Sequence, residues 1–163
     1  MSDKQRQVLD LLNEDCRIPL ERAALMLGMD IQEVAEIIDT LEKERVILCY
    51  RPVVNWDRTQ RTVVEAMIEV KVTPQRDFGF DAVARRINSF AEVRSLYLMS
   101  GTYDLLIQVT APTLKELAQF ISERLSPLET VTGTSTSFVL KRYKQDGVVF
   151  DQPDEDRRLS ISP

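Results

Sequence analysis

The sequence predicts an α+β protein in two parts, an N-terminal winged helix-turn-helix followed by a ferredoxin-like βαββαβ domain. Over the first 50 residues the apolar side chains recur at helical spacing, and from Val63 onward stretches with a period of two lie between helical ones. The second part runs strand, helix, strand, strand, helix, strand, which is the split βαβ plan. A length of 163 residues leaves room for two small domains.

The first part, residues 1–50, is predicted to contain three short helices. Asp3 is expected to cap the first helix, and the second begins near Pro19 and ends at Gly28. Asp30 is expected to cap the third helix, with Glu33 completing a capping box. One apolar stripe of the third helix then faces inward, formed by Val34, Ile37, Ile38 and Leu41.

The connection between the second and third helices is short, which gives a helix-turn-helix arrangement. Strand signals on both sides of Arg51-Pro52 suggest a two-stranded wing. Residues 51–62 are interpreted as the wing strand and a polar linker.

Residues 63–147 carry the alternating pattern of the second domain, with a hairpin expected at Gly101-Thr102 and a capping box at Thr113 and Glu116. Two helices are expected to cover one face of the sheet. The other face must meet water or a partner, so we expect it to serve in dimerisation. Residues 148–163 are polar and expected to be disordered. Four apolar residues cannot all point toward the helices: Leu96, Leu98, Leu106 and Phe138.

The composition excludes several classes of protein. The chain has no histidine, and its five glycines are too scattered for a phosphate-binding loop, so no enzyme, metal or cofactor is expected. No signal peptide or membrane-spanning run is visible. Cys16 and Cys49 are interpreted as free thiols, and a cytoplasmic protein is expected.

The charge distribution is unusual for a nucleic-acid binder. Residues 1–50 hold six basic and eleven acidic side chains, whereas residues 51–150 hold thirteen and eleven. The predicted third helix contains four acids, Glu33, Glu36, Asp39 and Glu42. A basic surface normally supplies much of the affinity for DNA, so this distribution argues against simple, strong binding.

The head, the linker and a second domain containing "LMSGTYDLLIQV" together resemble the Lrp/AsnC family, the feast/famine regulators of prokaryotes. The resemblance covers about residues 3 to 147. Its most specific part is Gly101-x-Tyr103-Asp104 between two apolar strands. "LEKERVI" at the end of the head and the Thr/Ser-rich last strand support it.

The resemblance implies a transcriptional regulator that dimerises through its C-terminal sheets, often assembles into rings, and binds an amino acid or similar small effector between subunits. Asp104 would then accept from the ammonium of the effector, and the backbone at Gly101 and Tyr103 would donate to its carboxylate. Hydroxyls of Thr134 or Thr136 from a neighbouring subunit would add donors. The alternative is that Gly101 only permits a positive φ and Asp104 caps the turn.

Double-stranded DNA is the other partner that the resemblance implies. The family usually has basic residues where this chain has Ile37, Asp39 and Thr40, and a glycine where it has Arg45. Contacts with DNA are expected from Gln32 to a base edge and from flanking arginines to the backbone. These arginines include Arg17, Arg22, Arg45 and Arg51.

Three rival interpretations remain, and one of them, a purely structural module, leaves the G-x-Y-D hairpin unexplained. The acids of the third helix are more simply a solvated face, which still allows DNA contacts from flanking basic side chains. Another rival is an effector-sensing oligomer that acts through protein partners, its head having lost affinity for DNA. Haem-biosynthetic decarboxylases have a similar two-part architecture. The absence of histidine argues against that enzymatic alternative.

Overall fold

The structure is a computed structural model that describes residues 1–73 and 79–150. The chain divides into two compact units, Met1–Pro52 and Val53–Pro163. Within the described ranges, no helix is long and apolar enough to cross a membrane.

The first unit consists of three helices, α1 (Asp3–Glu14), α2 (Leu20–Leu27) and α3 (Ile31–Lys43). They pack around a small core in which Ala23 and Ala24 let α2 approach its neighbours closely. Val8 of α1 and Val34 of α3 are buried in the same core, and Leu41 of α3 is also fully buried. Ile37 and Ile38 pack against this core, so the apolar stripe predicted for α3 faces inward.

Two of the helix caps predicted for the first unit differ in the structure. Ser2, not Asp3, is the N-cap of α1, and it forms a capping box with Gln5. Asp30 does cap α3, since its side chain accepts from the N–H of Gln32 at 2.8 Å. Glu33 forms no capping box there, because its carboxylate is held by Lys4 instead.

Helices α2 and α3 end in the same type of turn, a Schellman motif. After α2, Gly28 lies in the left-handed region at φ 62° and Met29 donates back to Ala24. After α3, Arg45 takes the same position at φ 58° and Val46 donates back to Leu41. This position favours glycine, because a left-handed L-residue costs roughly 1–2 kcal/mol.

The prediction of a two-stranded wing was wrong. Residues 44–63 are all described, and they contain no strand between α3 and the sheet. Pro52 has no N–H to donate to a ladder, and the segment is mostly exposed with no neighbouring strand to bond to. The only regular element here is a 3₁₀ turn at Trp56–Arg58, which Asn55 caps.

The second unit is a four-stranded antiparallel sheet with α4 (Asp81–Asn88) and α5 (Leu114–Phe120) on one face. The strands are β1 (Val64–Val72), β2 (Val93–Leu98), β3 (Leu105–Ala111) and β4 (Val131–Phe138), in the order β2-β3-β1-β4. A π turn, Ile121–Leu125, continues α5. The order of elements and the strand order are those of the predicted ferredoxin-like plan.

The strand register determines which side chains reach the open face of the sheet, the face without helices. Leu106 of β3 lies on it, opposite Glu69 of β1. The other three residues of that group share the helix-covered face, because they pair with core residues: Leu96 with Ile107, Leu98 with Leu105 and Phe138 with Ala66. The expectation that the four cannot all face the helices is thus confirmed.

The chain after β4 forms a hairpin that was not predicted. Strands β5 (Lys144–Gln145) and β6 (Val148–Val149) are joined by Asp146-Gly147, both with positive φ, as in a type I′ turn. The predicted disordered tail therefore does not begin at residue 148. Its remaining part, residues 151–163, lies outside the described residues.

The left-handed conformation of Arg45 is expected to lower the free energy of unfolding of the first unit. Replacing Arg45 with Gly is expected to stabilise the first unit by about 0.5–1 kcal/mol, since relief of backbone strain exceeds the added entropy of the unfolded chain. Gly28→Ala is the matched control. It is expected to destabilise by a similar amount through backbone strain alone, because its new Cβ would meet no atom within 4 Å. Amide hydrogen exchange of α3 measures both, and changes of the same sign would contradict the prediction.

Candidate functional site

Three of the four acids on α3 have a partner within the first unit. Lys4 of α1 bonds to Glu33 at 2.5 Å, and Lys43 bonds to Asp39 at 2.5 Å one turn away. The hydroxyl of Tyr50 donates to Glu42 at 2.8 Å. Glu36 alone among the four makes no side-chain hydrogen bond or ion pair within the part of the chain that the structure describes.

The bond between Tyr50 and Glu42 also affects the phenol. Partial desolvation, followed by the hydrogen bond and the negative charge of Glu42, raises the pKa of Tyr50 to about 12. The phenol, neutral at physiological pH like an ordinary tyrosine, remains a donor to Glu42 into the alkaline range.

The side chains predicted to touch DNA are all exposed. Gln32 lies in the first turn of α3, Arg22 on α2 and Arg17 in the turn between α1 and α2. Arg45 and Arg51 follow α3. None of the four arginines forms an ion pair within the described residues, so their guanidinium groups are available to an anion.

The positions that are basic in the family carry no cation here. Ile37 packs against the core, and the hydroxyl of Thr40 bonds to the carbonyl of Glu36. Asp39 is paired with Lys43. Any cation that meets DNA must therefore come from residues outside these three positions.

The predicted effector site lies where the loop 99–104 meets the end of β1. Met99 donates to the carbonyl of Asp104 at 2.8 Å, and the N–H of Asp104 donates to the carbonyl of Val70 at 3.0 Å. Oδ2 of Asp104 accepts from the N–H of Val72 at 2.9 Å. Its other oxygen, Oδ1, makes no hydrogen bond within the described residues and can accept from a ligand.

The turn interpretation of Gly101 was wrong. Gly101 does not have a positive φ, and a Cβ added there would meet no atom within 4 Å. The loop between β2 and β3 is also six residues long and not a two-residue turn. Neither the backbone conformation nor the described neighbours therefore require glycine at this position.

Thr134 and Thr136 lie on β4, two strands away from the loop. Thr134 is opposite Val70 and Thr136 is opposite Ile68, both on the helix-covered face at the edge of the sheet. Val70 also receives the N–H of Asp104 on its other side. The structure thus brings Asp104 and Thr134 to the same end of β1, separated by about 10 Å across two strand spacings.

A polar network on the open face was not predicted from the sequence. Ser95 donates to Gln108 at 2.8 Å, and Gln108 donates to Glu65 at 2.6 Å. Arg142 forms an ion pair with the other oxygen of Glu65 and lies over the ring of Phe150 at 5.3 Å. This network joins three strands to the chain after β4. Only the alternation of each strand was visible in the sequence, and the network also needs the strand order.

Comparison with known proteins identifies relatives of both units. The model of the Lrp/AsnC ligand binding domain matches residues 65–149. YugG of Bacillus subtilis, an uncharacterized HTH-type transcriptional regulator, is 46% identical over 100% of this chain and 99% of its own. The HTH-type transcriptional regulator LrpA of Pyrococcus abyssi is 27% identical over 88% of this chain and 99% of its own.

Solved structures share the fold. AsnC of E. coli matches with a TM-score of 0.69 and 17% identity, covering 89% of this chain and 95% of that one. A transcriptional regulator of Neisseria meningitidis, solved as a complex with L-Met, matches with a TM-score of 0.72 and 19% identity. It covers 94% of this chain and 96% of that chain. The relatives are regulators and not enzymes, in agreement with the expectation from the absence of histidine.

The ion pair between Glu65 and Arg142 is expected to stabilise the second unit. The two side chains are only 11% and 17% exposed, so Arg142→Met leaves a nearly buried carboxylate unpaired and is expected to cost about 3 kcal/mol. Arg94→Met, in the same unit, removes only an exposed hydrogen bond to Thr110 and is expected to cost about 0.5 kcal/mol. Urea unfolding measures both. Equal losses of unfolding free energy in the two variants would show that the Glu65 pair contributes no more than an exposed hydrogen bond.

Proposed function

Because the chain belongs to the Lrp/AsnC family, we propose that it is a transcriptional regulator with two binding activities. The three-helix unit binds double-stranded DNA as a helix-turn-helix. The C-terminal unit binds an amino acid or a similar small effector between the subunits of a homo-oligomer.

The observation that carries this proposal is the charge pairing around α3. Three of its four acids are bound to Lys4, Lys43 and Tyr50, while four arginines of the same unit have no ion pair within the described residues. Glu42 keeps its negative charge because the phenol of Tyr50 is neutral, and residues 1–50 hold more acidic than basic side chains. The four arginines are the cations left to meet phosphates. This arrangement supports DNA binding that relies on backbone contacts from the flanks of α3.

The effector proposal rests on the end of β1. The free Oδ1 of Asp104 is an acceptor for the ammonium of an amino acid, and the exposed backbone near Gly101 offers donors for its carboxylate. Thr134 or Thr136 of a neighbouring subunit adds a hydroxyl donor. The Neisseria meningitidis neighbour is a complex with L-Met, which makes an amino acid the first class to test.

The homo-oligomer is proposed to form through the open face of the sheet. Met67, Leu106 and Tyr97 give this face apolar side chains around the polar network. Leu140, in the segment that binds Glu65, is 96% exposed. A leucine this exposed beside a half-apolar sheet face fits an interface between copies of the chain.

DNA binding is tested by fluorescence anisotropy of the full chain with its own promoter DNA. If each of four arginines neutralises one phosphate, affinity is expected to fall roughly a hundredfold between 50 and 200 mM salt. Addition of pooled amino acids is expected to shift the binding curve. A protein that binds an amino acid but shows no binding to DNA at low salt would instead support action through protein partners.

The effector site is tested by calorimetry with Asp104→Asn. The amide oxygen of Asn still accepts from Val72, so folding is kept, but the loss of charge is expected to weaken amino-acid binding at least tenfold. Gly101→Ala is expected to keep or slightly raise the stability, and to weaken binding because its new Cβ stands beside the backbone donors proposed for the carboxylate. Ser100→Ala in the same loop serves as the control. Unchanged affinity in the first two variants would place the effector elsewhere.

A further inference from the structure

The surface of α3 that faces away from the core consists of one row of side chains. Gln32, Glu36, Asp39 and Lys43 follow one another at helical spacing, and all four are exposed. In the second half of the row, Asp39 and Lys43 are bonded to each other at 2.5 Å. The groups left to interact with a ligand are therefore Gln32 and Glu36, in the first half of the helix.

Glu36 has a charge that suits a base edge and not the DNA backbone. Its carboxylate is exposed and has no partner within the described residues, whereas the other three acids of α3 are bound. Phosphates repel a carboxylate. In the major groove, the amino group of cytosine is a donor that Glu and Asp accept from.

Glu36 also occupies a position on the helix from which recognition helices contact bases. Recognition helices contact bases mainly through their N-terminal residues, and Gln32 and Glu36 occupy the first two turns of α3. Four residues span about 6 Å along a helix, which is roughly two base steps of 3.4 Å. The two side chains can therefore reach base pairs close to each other in one groove.

We propose that Glu36 is a specificity-determining residue of this regulator, which accepts a hydrogen bond from the amino group of a cytosine, while Gln32 contacts an adenine nearby. The inference rests on the proposed DNA-binding function. It assigns base recognition to the unpaired acid and most of the affinity to the flanking arginines. The acid is then expected to weaken binding to every sequence that lacks the cytosine, since its charge repels the phosphates.

The test is selection from a randomised duplex pool, followed by anisotropy on the selected site and its single-base variants. The unmodified protein is expected to prefer cytosine at one position roughly tenfold. Glu36→Gln is expected to reduce that preference to less than threefold, with the preference for adenine at the Gln32 position retained. Asp39→Asn removes the same charge from the same row and is expected to change the affinity for all sites by one factor.

The outcomes separate this inference from the function on which it rests. If Glu36→Gln strengthens binding to every sequence equally and leaves the base preferences unchanged, Glu36 is only a solvated acid and the inference is overturned. If the unmodified protein selects no DNA at low salt, the proposed DNA-binding function fails, and the inference fails with it. Loss of preference at the cytosine position alone supports both.

Discussion

The C-terminal unit depends on the hydrogen bonding of a single strand, β1, whose nine residues bond to β3 on one side and β4 on the other. Its alternation places one set of side chains in the core and the other on the open face. At its start, Glu65 accepts from Gln108 and pairs with Arg142. At its end, the carbonyl of Val70 accepts from the N–H of Asp104, and the N–H of Val72 donates to the Asp104 carboxylate. The polar network and the proposed effector site are therefore at opposite ends of the same strand.

The first unit satisfies a different constraint, which is electrostatic. Exposed ion pairs such as those of Lys4 and Lys43 contribute little to stability, typically below about 1 kcal/mol. Their importance here lies in the electrostatic field outside the helix, which they make less negative. A carboxylate held next to an ammonium group presents a dipole to an approaching polyanion, and a dipole repels much less than a free charge.

The sequence was sufficient for the elements that a regular pattern specifies. The stripe of α3 and the alternation of β1 follow from burial of one face, so both were predicted correctly. The wing was not, because strand propensity alone does not form a ladder when no neighbour supplies donors and acceptors. The hairpin at Asp146-Gly147 was missed although that dipeptide is a strong turn signal.

The candidate sites were only partly predictable, since they depend on contacts distant in sequence. Lys4 lies 29 positions before Glu33, and Arg142 lies 77 positions after Glu65. No local spacing indicates either pair. The structural role of Asp104 was also hidden, because its bond to Val72 appears only once β1 and β3 are adjacent.

The conformation of Arg45 limits how this protein can be engineered. A library selected only for heat resistance would favour glycine at this position, since glycine relieves the left-handed strain. Each such clone would lack one of the few unpaired cations near α3. Thermostability and affinity for a polyanion would then be opposed at a single codon, and selection for one property would have to be accompanied by a screen for the other.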